Sequence, residues 1–300
     1  MGDPRPIGLF DSGVGGLTVL REVVRRLPRE ATIYLGDNAR TPYGPRSDEE
    51  VLRFSTECLD ELSARDVKAI VVACNTSTAV ALPSLRRRYA RPVLGVVRPG
   101  ATAAVLATRT RHVGLIATPA TVRSHAYFEA IKEEDPFVEV YEHATPELVP
   151  LVEAGRLAGP EVEGALRRAL GPLFGDRVRR RQDDASVASF VFPMPDGARI
   201  DTLLLGCTHY PLLAPLIEDI VGPAVAVIDS ATATASALAS LLEVHDLAAP
   251  PGPTVRHVLL TTGDVGAFEE TSERLFGARL GAVQGLRLGE APDPALAGIG

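Results

Sequence analysis

Nine short apolar runs recur along this 300-residue chain, each followed by a longer amphipathic or polar stretch. They fall at 6–10 (PIGLF), 31–35 (ATIYL), 68–73 (KAIVVA), 92–97 (PVLGVV), 112–117 (HVGLIA), 137–141 (FVEVY), 201–206 (DTLLLG), 224–228 (AVAVI) and 256–261 (RHVLLT). A strand that is apolar at nearly every position has both faces buried, as in a parallel sheet covered by helices. Residues 47–50 (SDEE) form a capping box and predict a helix over about 48–64. The fold class is therefore α/β with parallel sheets. At roughly 100–200 residues per domain, the length predicts two domains.

The chain also repeats itself. Residues 7–12 (IGLFDS) align with 113–118 (VGLIAT) at an offset of 106, and 70–76 (IVVACNT) align with 203–209 (LLLGCTH) at an offset of 133. Each half thus has one strand ending in a small hydroxyl residue and a later strand ending in cysteine. The two offsets differ by 27 residues, which one insertion in the second half explains. The candidate is 172–198, which holds an arginine run and a Pro/Gly-rich stretch. It is expected to be a solvated surface loop outside the catalytic core, with a basic partner-binding arm as the alternative. The Ala/Pro/Gly-rich tail after 288 is expected to fray.

Composition excludes several classes. Hydrophobic residues make up 46% and charged residues 23%, ordinary for a globular protein and wrong for a disordered chain or fibre. The net charge is −7, so a global basic footprint for nucleic acid is missing. The start has no apolar signal-peptide core, and no apolar run approaches the ~18–20 residues of a membrane span. Three cysteines cannot form a disulfide framework. A cytoplasmic protein with no membrane or nucleic-acid partner is expected.

Ligands of parallel α/β sheets bind beyond the carboxyl ends of the strands. After the first strand comes 11–16 (DSGVGG), a tight turn into a helix whose free N–H groups favour an anion. It is neither a dinucleotide fingerprint nor a phosphate loop, and alone it could be a merely structural turn. Cys74 and Cys207 say more. Each follows an apolar strand and precedes a helical stretch, a position that favours thiolate. Cys58, inside the amphipathic 48–64 stretch, reads as a core residue. The six histidines are scattered without metal-ligand spacing, and no C-x-x-C redox pair occurs. Two thiols on pseudo-symmetric halves place one on each side of a ligand in the cleft between them. Inverting a tetrahedral carbon without a cofactor asks for a base on one face and an acid on the other. A thiolate and a thiol can fill those roles and exchange them. Asp11 and His209 lie beside the cysteines in the repeat and could tune them. A two-domain binding protein without turnover remains the alternative, although it has no need for matched thiols.

Five stretches together resemble the glutamate racemases of the cofactor-independent aspartate/glutamate racemase superfamily: 8–18 (GLFDSGVGGLT), 35–44 (LGDNARTPYG), 73–76 (ACNT), 118–121 (TPAT) and 206–211 (GCTHYP). The resemblance spans about 7–285. It implies two pseudo-symmetric parallel-sheet α/β domains with the active site in the cleft between them. The first covers 1–98 plus about 229–300, and the second covers about 99–228. It implies interconversion of L- and D-glutamate, a supply of D-glutamate for peptidoglycan, a homodimer, and neither cofactor nor metal. Carried over by residue, Cys74 takes the Cα proton of D-glutamate and Cys207 that of L-glutamate. Glu153 is implied as an acid near Cys207, with Asp11 and His209 as further catalytic groups. Asp11, Ser12, Pro42, Tyr43, Gly44, Asn75, Thr76, Thr118, Thr121, Thr208 and His209 match substrate-holding positions. A racemase for aspartate is the nearest alternative, and Pro42, Tyr43 and Gly44 favour glutamate. Arg98 stands where many members carry glutamate. No lysine lies near any motif, and Arg40 is the only arginine within the five stretches. A dianionic ligand is therefore expected to be held by helix N-termini, hydroxyls and amides, with Arg40→Ala mild.

Overall fold

The computed structural model describes residues 2–175, 199–250, 252 and 255–288. Ten strands among them form two parallel sheets. The first contains β1 (Ile7–Asp11), β2 (Thr32–Gly36), β3 (Ala69–Val72), β4 (Val93–Gly95), β9 (His257–Thr261) and β10 (Ala282–Gly285), in the order β10-β9-β2-β1-β3-β4. The second contains β5 (His112–Ala117), β6 (Glu139–Ala144), β7 (Thr202–Gly206) and β8 (Ala226–Asp229), in the order β6-β5-β7-β8. Every strand pairing is parallel.

The repeat appears in the pairing. The order β2-β1-β3-β4 of the first sheet recurs as β6-β5-β7-β8 in the second. Ile7 pairs with Ala69, and Val113 pairs with Thr202. Adding 106 to the first residue and 133 to the second converts one pair into the other. The sequence offsets therefore preserve register, so both strand-end cysteines sit at the same level of their sheets.

Helices cover both faces of each sheet, which is why the central strands β1, β3, β5 and β7 are largely apolar. On the first sheet, α1 (Leu17–Arg26), α10 (Ala231–Val244) and α11 (Val265–Phe276) bury Leu17, Leu20, Val23, Leu238 and Phe268 on one side. On the other, α2 (Asp48–Ala64) and α3 (Asn75–Arg88) bury Val51, Leu59, Leu62, Ala81 and Leu85. The second sheet lies between α4 (Val97–Ala107) with α6 (Ala126–Glu134), and α8 (Pro160–Phe174) with α9 (Ala214–Val221). Burying one such Leu contributes about 1.5–3 kcal/mol.

The expected helix over 48–64 is α2, and its capping box closes both ways. Ser47 Oγ accepts from the Glu50 N–H, and Glu50 Oε2 accepts from the Ser47 N–H, each at 3.2 Å. All nine expected strands form, with shifted ends: β4 stops at Gly95, because α4 starts at Val97. The run expected at 137–141 becomes β6 at Glu139–Ala144, with Phe137 71% exposed ahead of it. β10 was not foreseen. It has four residues, AVQG, with neither an apolar run nor strict alternation. Of the insertion expected at 172–198, residues 172–174 close α8, and 176–198 lie outside the described residues, as does the tail from 289. Arg98 is exposed on α4 and pairs with Glu133. No described helix is long and apolar enough to cross a membrane.

Candidate active site

The carboxyl ends of β1, β3, β5 and β7 converge. β1 ends in Asp11, which is fully buried. Its Oδ1 accepts from the Gly13 N–H at 2.9 Å, and its Oδ2 accepts from the Thr208 hydroxyl at 3.1 Å. Burial raises its pKa, against the pull of His209, the Gly13 and Gly16 N–H groups and Thr208. The glycine loop is dictated by close approach. A Cβ on Gly15 would stand 2.5 Å from Thr208 Oγ1 and 2.7 Å from His209 Nδ1. Only glycine lets the loop after β1 meet the turn after β7.

Cys74 is the N-cap of α3, and its Sγ accepts from the Ser77 N–H at 3.4 Å. The thiol also donates to Ser12 Oγ at 3.5 Å. Burial and then the Asp11 charge push its pKa up, while Ser12 and Ser77 act in the opposite direction. Asn75 and Thr76 open α3 and are both buried. Thr76 Oγ1 lies 2.9 Å from Thr118 Oγ1, which lies 3.0 Å from Thr121 Oγ1. Thr118 N-caps α5 (Pro119–Arg123), and the Ala120 N–H donates to the Gly44 carbonyl at 3.2 Å.

Cys207 differs from its counterpart. It does not cap an α-helix: residues 207–209 turn into a 3₁₀ segment, Tyr210–Leu213, before α9. Its polar partner is a side chain. Cys207 Sγ lies 3.6 Å from His209 Nδ1, and His209 Nε2 lies 2.5 Å from Glu153 Oε1. Glu153 ends α7 (Leu148–Glu153). Burial alone would lower the His209 pKa, but its bonds to Cys207 and Glu153 outweigh that and hold it well above the usual imidazole value. His209 therefore stands as a proton donor at the sulfur.

Both cysteines line one cavity of about 160 Å³. That is small beside the ~300 Å³ of drug-sized pockets and suits a small solute. Ser12, Pro42, Tyr43, Gly44, Asn75, Thr76, Thr118, Thr208 and His209 line it with them. Three expected site residues stand one contact behind the wall: Asp11 behind Thr208, Thr121 behind Thr118, and Glu153 behind His209. Pro45, Pro119, Pro146, Val149 and Pro150 also line it. The motif reading passed over them, although Pro45 adjoins and Pro119 lies within a quoted stretch; Pro146 precedes α7, and Val149 and Pro150 lie on it. Their side chains shape the cavity and donate no hydrogen bond. No lysine or arginine is among the lining residues. Arg40 pairs instead with Asp37 and Glu57. A larger cavity of about 340 Å³ lies across Glu153 from this one but touches neither cysteine, so the chemistry selects the smaller. Among the described residues no cluster of three or more His, Cys, Asp or Glu is placed to hold a metal ion.

A cavity lined by one thiol from each of two matching parallel sheets defines a class: two-sheet α/β proteins with paired thiols at one small-molecule site. The chain belongs to the Asp/Glu/hydantoin racemase family, whose sequence model matches residues 7–238. It is 42% identical over 290 residues to a glutamate racemase of Shouchella clausii, covering 97% of this chain and 96% of that one. A glutamate racemase isoform from Bacillus anthracis superposes with a TM-score of 0.84 at 39% identity, covering 95% and 98% of the two chains. A Francisella tularensis glutamate racemase solved with D-glutamate superposes at 0.80 and 31% identity, covering 96% and 99%.

Proposed function

We propose that this protein is a glutamate racemase that interconverts L- and D-glutamate through Cys74 and Cys207 without a cofactor. The observation that carries the reading is the placement of both repeat-related thiols on one small cavity. The names of the relatives, and the D-glutamate in one of them, direct the choice of substrate. Tyr43 and Gly44 in the wall fit the loop that the resemblance assigns to a substrate carboxylate. The same resemblance supports a supply of D-glutamate for peptidoglycan, a cytoplasmic homodimer, and domains at 1–98 plus 229–300 and 99–228.

From L-glutamate, the Cys207 thiolate takes the Cα proton. The C–H electron pair passes to Cα and its carboxylate, and the Cys74 thiol delivers a proton to the opposite face. D-glutamate leaves a Cys74 thiolate and a Cys207 thiol, the pair required for the reverse reaction. The raised pKa of Cys74 keeps it a thiol at neutral pH, ready as the acid. His209, bridging Cys207 and Glu153, can hold or return the proton of the other sulfur. Asp11 tunes the Cys74 side, and Thr208 couples Asp11 to the Cys207 turn. Asn75, Thr76 and Thr118 supply the polar wall for the substrate carboxylates.

Circular dichroism of L-glutamate with pure protein tests this, with no pyridoxal phosphate added. The optical signal should decay to zero, and aspartate should turn over more slowly. Cys74→Ser and Cys207→Ser should each lower racemisation by at least about a thousandfold, as expected when a nucleophilic or proton-transferring group is lost. Cys58→Ala, on the buried face of α2, should leave it nearly intact. Full racemisation in either strand-end variant, or a requirement for pyridoxal phosphate, would reject the mechanism.

A further inference from the structure

Tyr127 takes no part in the chemistry above. It lies on α6, is fully buried, and reaches across to the other half of the molecule. Its hydroxyl donates to Asn75 Oδ1 at 2.6 Å. Asn75 lines the cavity and is only 2% exposed, and its Nδ2 has no hydrogen-bond partner among the described residues. A side-chain amide has one accepting end and one donating end. With the accepting end taken by Tyr127, the donating end is left for whatever occupies the cavity. A buried amide nitrogen with nothing to donate to is costly, so an acceptor is expected there.

The packing around the phenol is specific. A Cβ at Gly100 on α4 would sit 3.3 Å from Tyr127 Oη and 3.0 Å from Ser230 Cβ. Ser230 also flanks the phenol, which burial keeps protonated and hence a donor. The glycine in α4 leaves room for the ring where it now lies.

We propose that Tyr127 is a positioning residue for ligand binding: it fixes the Asn75 amide so that both N–H bonds of Nδ2 are presented to a carboxylate of the bound amino acid. This rests on the glutamate racemase reading. Binding and catalysis can nevertheless be judged separately, because Tyr127 sets the polarity of the wall and does not touch the thiols.

Tyr127→Phe removes only the hydroxyl. It should raise KM for glutamate about tenfold while kcat stays within about twofold, the pattern of an interaction equal in ground and transition states. Kd for D-glutamate by calorimetry should rise in parallel. In an Asn75→Ala background, Tyr127→Phe should add nothing, because the group it acts through is gone. Gly100→Ala, which displaces the ring and keeps the hydroxyl, should raise KM in the same direction. An unchanged KM in Tyr127→Phe, or an equal rise in the Asn75→Ala background, would overturn the inference while wild-type racemisation continued. Wild-type protein that binds D-glutamate without racemising it would reject the catalytic reading, and Kd would still decide on Tyr127. Wild-type protein that does not bind glutamate would reject both.

Discussion

His209 shows how much one residue's environment decides. In the sequence it is a histidine two places after a cysteine, and it could as well have been a core residue. In the fold it is 2% exposed and bridges Cys207 and Glu153. Glu153 itself was recognisable only through the family resemblance, since 56 residues separate it from His209. The raised folded-state pKa of His209 sets the direction of a pH effect. A group whose pKa is higher folded than unfolded adds stability that is complete below its unfolded value, about 6.5. That stability is lost as pH rises through the folded value. Glu153→Gln removes a main cause of the shift, so its cost in unfolding free energy should be largest near about pH 6 and shrink toward about pH 9. Denaturant unfolding at the two pH values measures it. A cost that grows with pH would mean that His209 is held neutral. Thr208 lines the cavity, and its hydroxyl donates to Asp11.

Among the elements, those with local signals were the ones legible in the sequence. The helix at 48–64 declared itself because a capping box is written within four residues, and the strands because double burial leaves an apolar run. β10 gave no such signal, since its place is set by pairing with β9. The 3₁₀ turn after Cys207 was hidden because its repeat partner caps a true α-helix. The loop at 37–44 is a further case. Asp37 is fully buried and accepts from Arg40 Nε at 2.6 Å, from the Thr262 hydroxyl at 2.8 Å and from the Tyr43 hydroxyl. Arg40 also stacks over Phe54 at 4.2 Å and pairs with Glu57. It therefore braces the loop that carries Tyr43 and Gly44, and the expectation of a mild Arg40→Ala needs revision. Removing one partner of a buried carboxylate should cost about 2 kcal/mol of stability, less than a fully buried pair because Arg40 is partly exposed. KM should rise with the loosened loop but should not depend on ionic strength, because the guanidinium does not line the cavity. A salt-sensitive KM defect with unchanged stability would instead make Arg40 a clamp on the ligand.

Across the whole molecule the two halves repeat their strand order and register but not their acid–base surroundings. Cys74 is attended by Ser12, Ser77 and Asp11, whereas Cys207 is attended by His209 and Glu153. The repeat made the two thiols legible, and their divergence lies in contacts from distant segments that no local pattern encodes. Thermodynamics limits how that asymmetry can appear. L- and D-glutamate have equal free energy in water, so kcat/KM must be the same in both directions for any variant. A difference between the two directions can therefore appear only in kcat and KM, and by the same factor in both. Glu153 meets the Cys207 side through its bond to His209. In the proposed mechanism Cys207 is the base toward L-glutamate and the acid toward D-glutamate, so a retuned His209 alters the two bound states unequally. Glu153→Gln should therefore lower kcat/KM by the same factor in both directions, on the order of tenfold, less than the ~10²–10⁴ supplied by a whole acid–base group. The ratio of kcat from L-glutamate to kcat from D-glutamate should shift away from its wild-type value. Progress curves started from each enantiomer give both quantities. A lowered kcat/KM with an unchanged kcat ratio would show that Glu153 acts on the site as a whole, and the separate tuning of one thiol would have to be abandoned.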